Sequence, residues 1–186
     1  MLTLFKKPRV IQWSKLKKRV RDLMVPSLER RIDFHLTRYR DGHDHTSRAW
    51  ITLDGEEIFA AANTVWHREY CAVLRGERQR RAEPEGEFYL LYCQSGYEFH
   101  NLDARVMKLL WKREVHEPGE VYAALREYPS LTVVRAVNSP NPLLQALALI
   151  DRRLGTRTLA KLVPERFPHS LPRRFFELRL ETRHEP

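Results

Sequence analysis

The sequence predicts an α+β fold: an N-terminal basic helix, a three-stranded antiparallel meander, and then a mainly helical C-terminal part. Apolar residues recur at helical spacing near the start of the chain, and strict alternation follows over residues 31–54. Helical patterns punctuated by proline fill the remainder. We expect a single domain over residues 1–186, in which the helical part, 63–186, packs on the helix and meander of residues 1–62.

The segment WSKLKKRVRDLM predicts the first helix, because its apolar residues form one stripe at helical spacing. The stripe consists of Trp13, Leu16, Val20 and Leu23. Ser14 is the candidate N-cap, and Pro26 is expected to end the helix. The rest of the helix surface carries Lys15, Lys17, Lys18, Arg19 and Arg21. Such a helix can offer its cations to phosphates, or it can be an ordinary solvated face.

The segment RIDFHLTRYRDGHDHTSRAWITLD predicts two antiparallel strands joined by a polar loop, because apolar and polar residues alternate in both halves. The face expected to be buried carries Ile32, Phe34, Leu36, Ala49, Ile51 and Leu53. The opposite face carries His35, Thr37, Tyr39, Arg48 and Trp50. Arg38 and Arg40 fall on the apolar row and are expected to reach past its edge. The turn signal Asp54-Gly55 predicts a third strand over about 56–60.

Helical periodicity accounts for the rest of the chain. It predicts helices over 64–81 with Asn63 as cap, 88–112 with an interruption at 94–96, 120–128, and 171–181 built on Phe175, Phe176 and Leu178. NPLLQALALIDRRLG predicts a further helix, with Pro142 in its first turn and Gly155 as its C-cap. Arg152 and Arg153 then fall in its last turn, where cations complement the helix dipole.

Charge is distributed unevenly along the chain. The net charge is +9, the pI is about 9.8, and residues 1–48 hold 13 Lys and Arg against 5 Asp and Glu. This asymmetry favours a polyanionic partner, although Lys and Arg can also serve solubility alone. No apolar run is long enough for a signal peptide or a membrane span, so we expect a cytoplasmic protein without a membrane partner. Cys71 and Cys93 lie in apolar surroundings, which favours free, buried thiols.

Several segments together resemble a small family of uncharacterised bacterial cytosolic proteins. They are WSKLKKRVRDLMVPSLERRIDFHLTRYR, HD, RAWITLDGEEI and NPLLQALALIDRRLGTRTL. The similarity is specific in about the first sixty residues and in 139–162, whereas the Arg-rich tract at 75–81 departs from the more acidic middle of that family. The resemblance implies one bacterial domain and no particular chemistry.

The predicted function is nucleic-acid binding, with RNA or a ribonucleoprotein favoured, by a bacterial accessory protein. Cations of the basic helix and the sheet face would neutralise phosphates, and aromatic rings would stack on bases. The residues expected to make these contacts are Lys15, Lys18, Arg19, Arg38, Tyr39, Arg40, Arg48 and Trp50. Because no helix-turn-helix, RRM or zinc-finger pattern occurs, base-specific readout is not predicted, and no cofactor is expected.

A metal-independent nuclease is the alternative in which the protein is an enzyme. His35 or His43 would be the general base or acid. Stabilisation of the charge on the phosphoryl group would come from Arg38, Arg40 and Arg48. Spacing alone does not bring these groups together, so the sequence favours a non-enzymatic role.

Metal binding is predicted at neither of two candidate positions. The loop His43-Asp44-His45 and the helical pair His67 and Cys71 carry ligand types, but no HExxH or paired CxxC pattern accompanies them.

Two further interpretations stay open at this point. The basic surface can bind an acidic protein, as an immunity-type protein would. Alternatively, a helix can cover the polar sheet face, so that Trp50 and Tyr39 belong to the core and His35 is a buried, hydrogen-bonded histidine.

Overall fold

The computed structural model describes residues 11–38, 47–80 and 96–182, with the backbone alone at residues 38 and 96–103. Its elements confirm the predicted α+β class: helices, a three-stranded antiparallel sheet, and then helices again. None of the helices in the described ranges combines the length and the apolar content that spanning a bilayer requires.

From residue 11 onward, where the described part of the chain begins, two short helices precede the sheet: α1, Trp13–Arg21, and α2, Pro26–Glu29. Leu16 and Val20 of the predicted stripe are buried. The predicted N-cap at Ser14 is wrong, because α1 begins at Trp13 and Ser14 already lies within it. The N-cap residue is Gln12, whose side chain makes no capping bond. Pro26 does not end α1 but begins α2, where its missing N–H group costs no hydrogen bond.

The sheet has the order β1-β2-β3, with both pairs of strands antiparallel. The strands are β1, Ile32–Arg38, β2, Ser47–Leu53, and β3, Glu56–Ala62. The turn between β2 and β3 has positive φ at both Asp54 (53°) and Gly55 (90°), as the sequence signal predicted. The register shifts by one residue between Ile51 and Thr52, which leaves Ile58 as an extra residue in β3.

One face of the sheet forms part of the main hydrophobic core. Its buried residues are Ile32, Phe34, Ala49, Ile51, Leu53, Phe59 and Ala61. They share this core with helices from both ends of the chain, including α1 and the C-terminal helices. The alternation predicted in β1 and β2 therefore selects the buried face correctly.

The C-terminal part is a series of short helices. They are α5, Pro118–Glu127, a 3₁₀ turn at Tyr128–Ser130, α6, Val133–Val137, α7, Pro142–Leu149, α8, Thr156–Leu159, a 3₁₀ turn at Pro164–Arg166, and α9, Ser170–Glu181. α7 begins with Pro142 as predicted, but it ends at Leu149. The predicted positions of Arg152 and Arg153 in its last turn are therefore wrong, and Gly155 is the N-cap residue of α8 instead of a C-cap.

A buried carboxylate explains why α7 ends where it does. Asp151 is 1% exposed and accepts a 2.5 Å hydrogen bond from the Tyr128 hydroxyl and a 2.8 Å bond from Arg153. It also forms an isolated β-bridge with Met24. Burial first, and then the hydrogen bond and charge of Asp151, raise the pKa of the Tyr128 hydroxyl, so that it stays protonated and donates.

The helices α3, Asn63–Arg80, and α4, Gly96–Lys112, pack together around a small cluster of their own. Its buried members are Val73, Leu74, Val106 and Leu110. Glu77 is 2% exposed in this pair and binds Arg80 and Arg105, the latter at 2.9 Å. Cys71 is exposed, contrary to the expectation of a buried thiol, and Cys93 lies outside the described residues.

Candidate nucleic-acid interface

The side of the sheet that faces away from the main core is called the outer face here. In the described part of the chain it carries Asp33, His35, Thr37, Arg48, Trp50, Thr52, Glu57 and Ala60. All of these side chains are partly or fully exposed. No helix of the described ranges closes over the outer face, and because Trp50 and His35 are partly exposed, the interpretation in which they belong to the core is wrong. The Tyr39 part of that interpretation lies outside the described residues.

His35 and Trp50 form a stacked pair at the centre of the outer face. They are direct partners in the β1–β2 register, their ring centroids are 4.8 Å apart, and their planes differ by 9°. The His35 Nε2 atom lies 3.1 Å from the Thr52 hydroxyl, which fixes the ring orientation. Because His35 keeps 31% of its side-chain surface exposed, the pair is a surface feature.

Arg48 covers the indole as well. Its guanidinium carbon lies 5.0 Å from the centre of the Trp50 ring, within the range of a cation–π interaction, and its Nη2 atom lies 2.5 Å from the Glu57 carboxylate. His35 is on β1 and Glu57 is on β3, with Trp50 on the strand between them. The indole is therefore in contact with an imidazole from β1 and with a guanidinium that is bound to a carboxylate of β3.

Asp33 joins helix α1 to the outer face. Its carboxylate lies 2.7 Å from Lys17 Nζ and 2.7 Å from Arg21 Nη2, and it also accepts a 2.7 Å bond from the Phe34 amide. Partial burial pushes the pKa of the Asp33 carboxyl upward, but these hydrogen bonds and the charges of Lys17 and Arg21 outweigh burial. The pKa of Asp33 consequently lies below its ordinary value.

The cations of α1 divide into three groups according to their carboxylate partners. Lys15 and Arg19 are exposed and have no carboxylate partner among the described residues, whereas Lys18 pairs with Asp22 at 2.8 Å in an exposed i, i+4 bridge. Lys17 and Arg21 bind Asp33 of the sheet. Together with Lys18 they border an open groove of about 520 Å³ beside α1. Of the predicted contact residues, the structure brings Arg48 and Trp50 together directly.

Three predicted contact residues have no described side chain. Arg38 belongs to β1 and pairs with Ser47 through its backbone. Tyr39 and Arg40 lie outside the described residues, as does His43.

Of the two histidines that were candidates for acid–base catalysis, His35 lies on the outer face and His43 lies outside the described residues. The same nitrogen of His35, Nε2, faces the Thr52 hydroxyl at 3.1 Å and the Asp33 carboxylate at 3.8 Å. A relay in which the carboxylate orients one ring nitrogen while the other activates a hydroxyl requires two different nitrogens. Asp33, His35 and Thr52 therefore do not form such a relay.

Metal ligands do not converge in the part of the chain that the structure describes, where no group of three or more His, Cys, Asp or Glu side chains could hold an ion. The Cys71 sulfur lies 4.0 Å from both ring nitrogens of His67, on an exposed helix surface. The loop His43-Asp44-His45 lies outside the described residues.

Two partners were not identified from the sequence: Asp33, which binds Arg21, and Glu57, which binds Arg48. The alternation that placed His35 on the outer face also places Asp33 there, so this signal was available. Glu57 was hidden, because a regular strand would put it on the same face as the buried Phe59, two residues on. The register shift at Ile58 turns Glu57 to the outer face instead.

Comparison with known proteins gives a match over most of the chain. The model of the SF0329 protein family matches residues 12–180 of 186, including α1, the sheet and all helices up to α9. The chain belongs to the SF0329 protein family. This family is uncharacterised, in agreement with the resemblance found in the sequence, and the matched range covers the whole outer face. Neither the curated proteins nor the solved structures give a match.

Proposed function

We propose that the protein binds nucleic acid, with RNA or a ribonucleoprotein favoured, through helix α1 and the outer face of the sheet. The observation that carries this proposal is the pair of ionic contacts by which Asp33 joins α1 to the sheet, called the joint at Asp33 below. By binding both Lys17 and Arg21, Asp33 holds a cationic helix beside the face that carries the stacked rings. Cations for phosphates and an aromatic platform for bases are the two components that single-stranded nucleic-acid binding requires.

The balance of charge supports the same function. The chain carries a net charge of +9, and Lys15 and Arg19 project from α1 without a carboxylate partner in the described ranges. Arg48 has a partner, but the Arg48–Glu57 pair is about 40% exposed on both sides (42% and 40%). Because exposed ion pairs contribute only about 0–1 kcal/mol, a phosphate can take the place of Glu57 at little cost.

The proposal includes the setting that the resemblance implied, a bacterial cytoplasm in which the protein acts as an accessory factor to RNA or to a ribonucleoprotein. It assigns no base-specific readout, because phosphate contacts and stacking are largely insensitive to sequence.

The experiment compares two double variants that lose the same charge at different places. Lys15→Ala with Arg19→Ala removes two exposed cations of α1, and Arg157→Ala with Lys161→Ala removes two exposed cations in and after α8. Binding of a fluorescent single-stranded RNA is measured by anisotropy over a range of salt concentrations. We expect the α1 variant to bind about tenfold more weakly at moderate salt and to lower the log–log salt slope by about 1.4, the loss of two phosphate contacts.

The α8 variant is the matched control, and we expect it to bind within about twofold of the wild type, because only long-range attraction is lost. Equal losses in the two variants would mean that overall charge, and not the surface of α1, governs binding. That result would contradict the proposed location.

A further inference from the structure

Two groups from different directions lie against the Trp50 indole, one from β1 and one bound to β3. On the β1 side the His35 ring lies parallel to it and is fixed by the Thr52 hydroxyl. On the β3 side the direct partner in the register is Ala60, which is exposed and too short to cover the indole. The next outer-face partner, opposite Arg48, is also an alanine, Ala62. The group that lies over the indole toward β3 is the Arg48 guanidinium, which the β3 residue Glu57 binds from the side of that strand.

Weak interactions hold Arg48 in this position. Its cation–π contact with Trp50 and its bond to Glu57 both lie at the surface, where water competes for the charged groups. Both groups that face the guanidinium, the indole and the carboxylate, remain in place if the arginine side chain rotates away. The planar guanidinium thus occupies a position that a planar aromatic ring would also fit.

We propose that this position is a slot for one unpaired nucleobase, with Arg48 as its gate. The proposal rests on the proposed function and specifies its ligand as single-stranded nucleic acid. On binding, a base stacks on the β3 side of Trp50, above Ala60, while Arg48 leaves Glu57 and pairs with a phosphate of the bound strand. His35 stays behind the indole and supports it from the β1 side.

The position of the slot against Trp50 requires a ligand that is single-stranded at this point. A base within a duplex has both faces covered by its neighbours, so stacking on Trp50 requires that it be unpaired or turned out of the helix. Glu57 sets the threshold for opening, because it both holds Arg48 and repels an approaching phosphate.

The test uses the full chain and two oligomers of about ten nucleotides, within the usual site size for such surfaces. One is a uridine oligomer, and the other has the same backbone length with abasic sugars. Ala60→Leu fills the slot without changing any charge, and Ala72→Leu, at an exposed position of α3, is the matched control. We expect the wild type to bind the uridine oligomer about tenfold more tightly than the abasic one, as one stacked base predicts. Ala60→Leu is expected to abolish this difference, and Ala72→Leu to preserve it.

A second comparison tests the gate independently of the slot. Glu57→Gln should tighten binding of the uridine oligomer about threefold or more relative to Glu56→Gln, which removes the same charge from the neighbouring exposed residue. Equal effects of the two variants would contradict the gate. Thermal unfolding of each variant identifies any that fails to fold.

Failure of the slot and failure of the proposed function give different results. If the wild type binds both oligomers equally and with a steep salt dependence, the slot is wrong and nucleic-acid binding stands. If the wild type binds neither oligomer, the proposed function is wrong, and the slot with it.

Discussion

The Lys17 ammonium lies 2.7 Å from the Asp33 carboxylate, and this contact fixes the first helix to the first strand. Arg21, one helical turn further on, binds the same carboxylate oxygen at 2.7 Å. Because Asp33 also accepts the Phe34 amide, it ties α1 and the open edge of β1 together through a single side chain. Together with the buried Leu16 and Val20 of α1, this residue sets the position of the α1 cations relative to the stacked rings.

Replacing Asp33 by Asn is expected to destabilise the protein by about 1–2 kcal/mol at neutral pH, because two charge-assisted bonds are lost from a partly exposed site. Urea unfolding followed by circular dichroism measures the change. Asp22→Asn is the matched control, because it removes an exposed i, i+4 bridge to Lys18 whose contribution is at most about 0.5 kcal/mol. Similar losses in the two variants would contradict the role of Asp33 as the joint.

The stability that Asp33 contributes depends on pH in a direction set by the pKa shift of its carboxyl group. The pKa is lower in the folded protein than its ordinary value of about 3.8, so the folded state favours the ionised carboxylate. Its contribution to stability is therefore fully present above that ordinary value and is lost as the pH falls through the folded pKa. The difference in stability between wild type and Asp33→Asn should shrink as the pH is lowered below about 4, and a difference that is constant with pH would contradict this account.

Alternation in the sequence predicted much of the outer face, and long-range contacts account for what it missed. His35, Arg48 and Trp50 lie on one face as expected, because side-chain period is a local property of a strand. The Arg48–Glu57 pair could not be predicted in this way, since it depends on a one-residue register shift between β2 and β3.

The end of α7 shows the same limit. DRRLG continues a helical pattern, and Arg152 and Arg153 suit a last turn. Asp151 instead lies after the end of α7 and accepts a hydrogen bond from Tyr128, 23 residues earlier in the chain. It also forms a β-bridge with Met24, which precedes the whole sheet in the sequence. No local pattern reports a buried hydrogen bond to a distant residue.

The contacts of Asp151 with Tyr128 and Arg153 predict an order of stability losses. Asp151→Asn removes the buried charged acceptor of Arg153, whose own side chain is 34% exposed, and the loss of these charge-assisted bonds is expected to cost about 2–3 kcal/mol. Tyr128→Phe removes one neutral donor and keeps the ion pair, so we expect a loss of about 1–2 kcal/mol. Urea unfolding of both variants measures this order. If Tyr128→Phe is the more damaging of the two, the ion pair is not the main stabilising contact.

The pair of helices α3 and α4 gives a local stability prediction. Glu77→Gln weakens the bonds to Arg80 and Arg105 at a residue that is 2% exposed, and we expect faster hydrogen exchange in α3 and α4 than in the sheet. Glu69→Gln is the control, because Glu69 pairs with Arg68 and Arg113 but keeps 28% of its side chain exposed. Uniformly faster exchange over the whole chain would show that the helix pair does not open as a separate unit.

His35 separates the binding role from the nuclease alternative. His35→Ala removes the ring behind Trp50 and is expected to weaken RNA binding about twofold to tenfold, as the loss of one aromatic pair predicts. Thr37→Ala, on the same face of β1, should leave binding unchanged. Intact RNA after long incubation with either the wild type or the variant is the expected result. Cleavage by the wild type that His35→Ala abolishes would establish the nuclease alternative instead.

The salt dependence of single-stranded RNA binding is the decisive measurement for a polyanion-binding surface on α1 and the outer face. Lys15, Arg19 and Arg48 each neutralise one phosphate in this account, so log Kd should rise linearly with log salt with a slope of about 2, or about 0.7 for each contact. A dissociation constant that does not change with salt, or no detectable binding at about 50 mM salt, would contradict a polyanion-binding surface on α1 and the outer face.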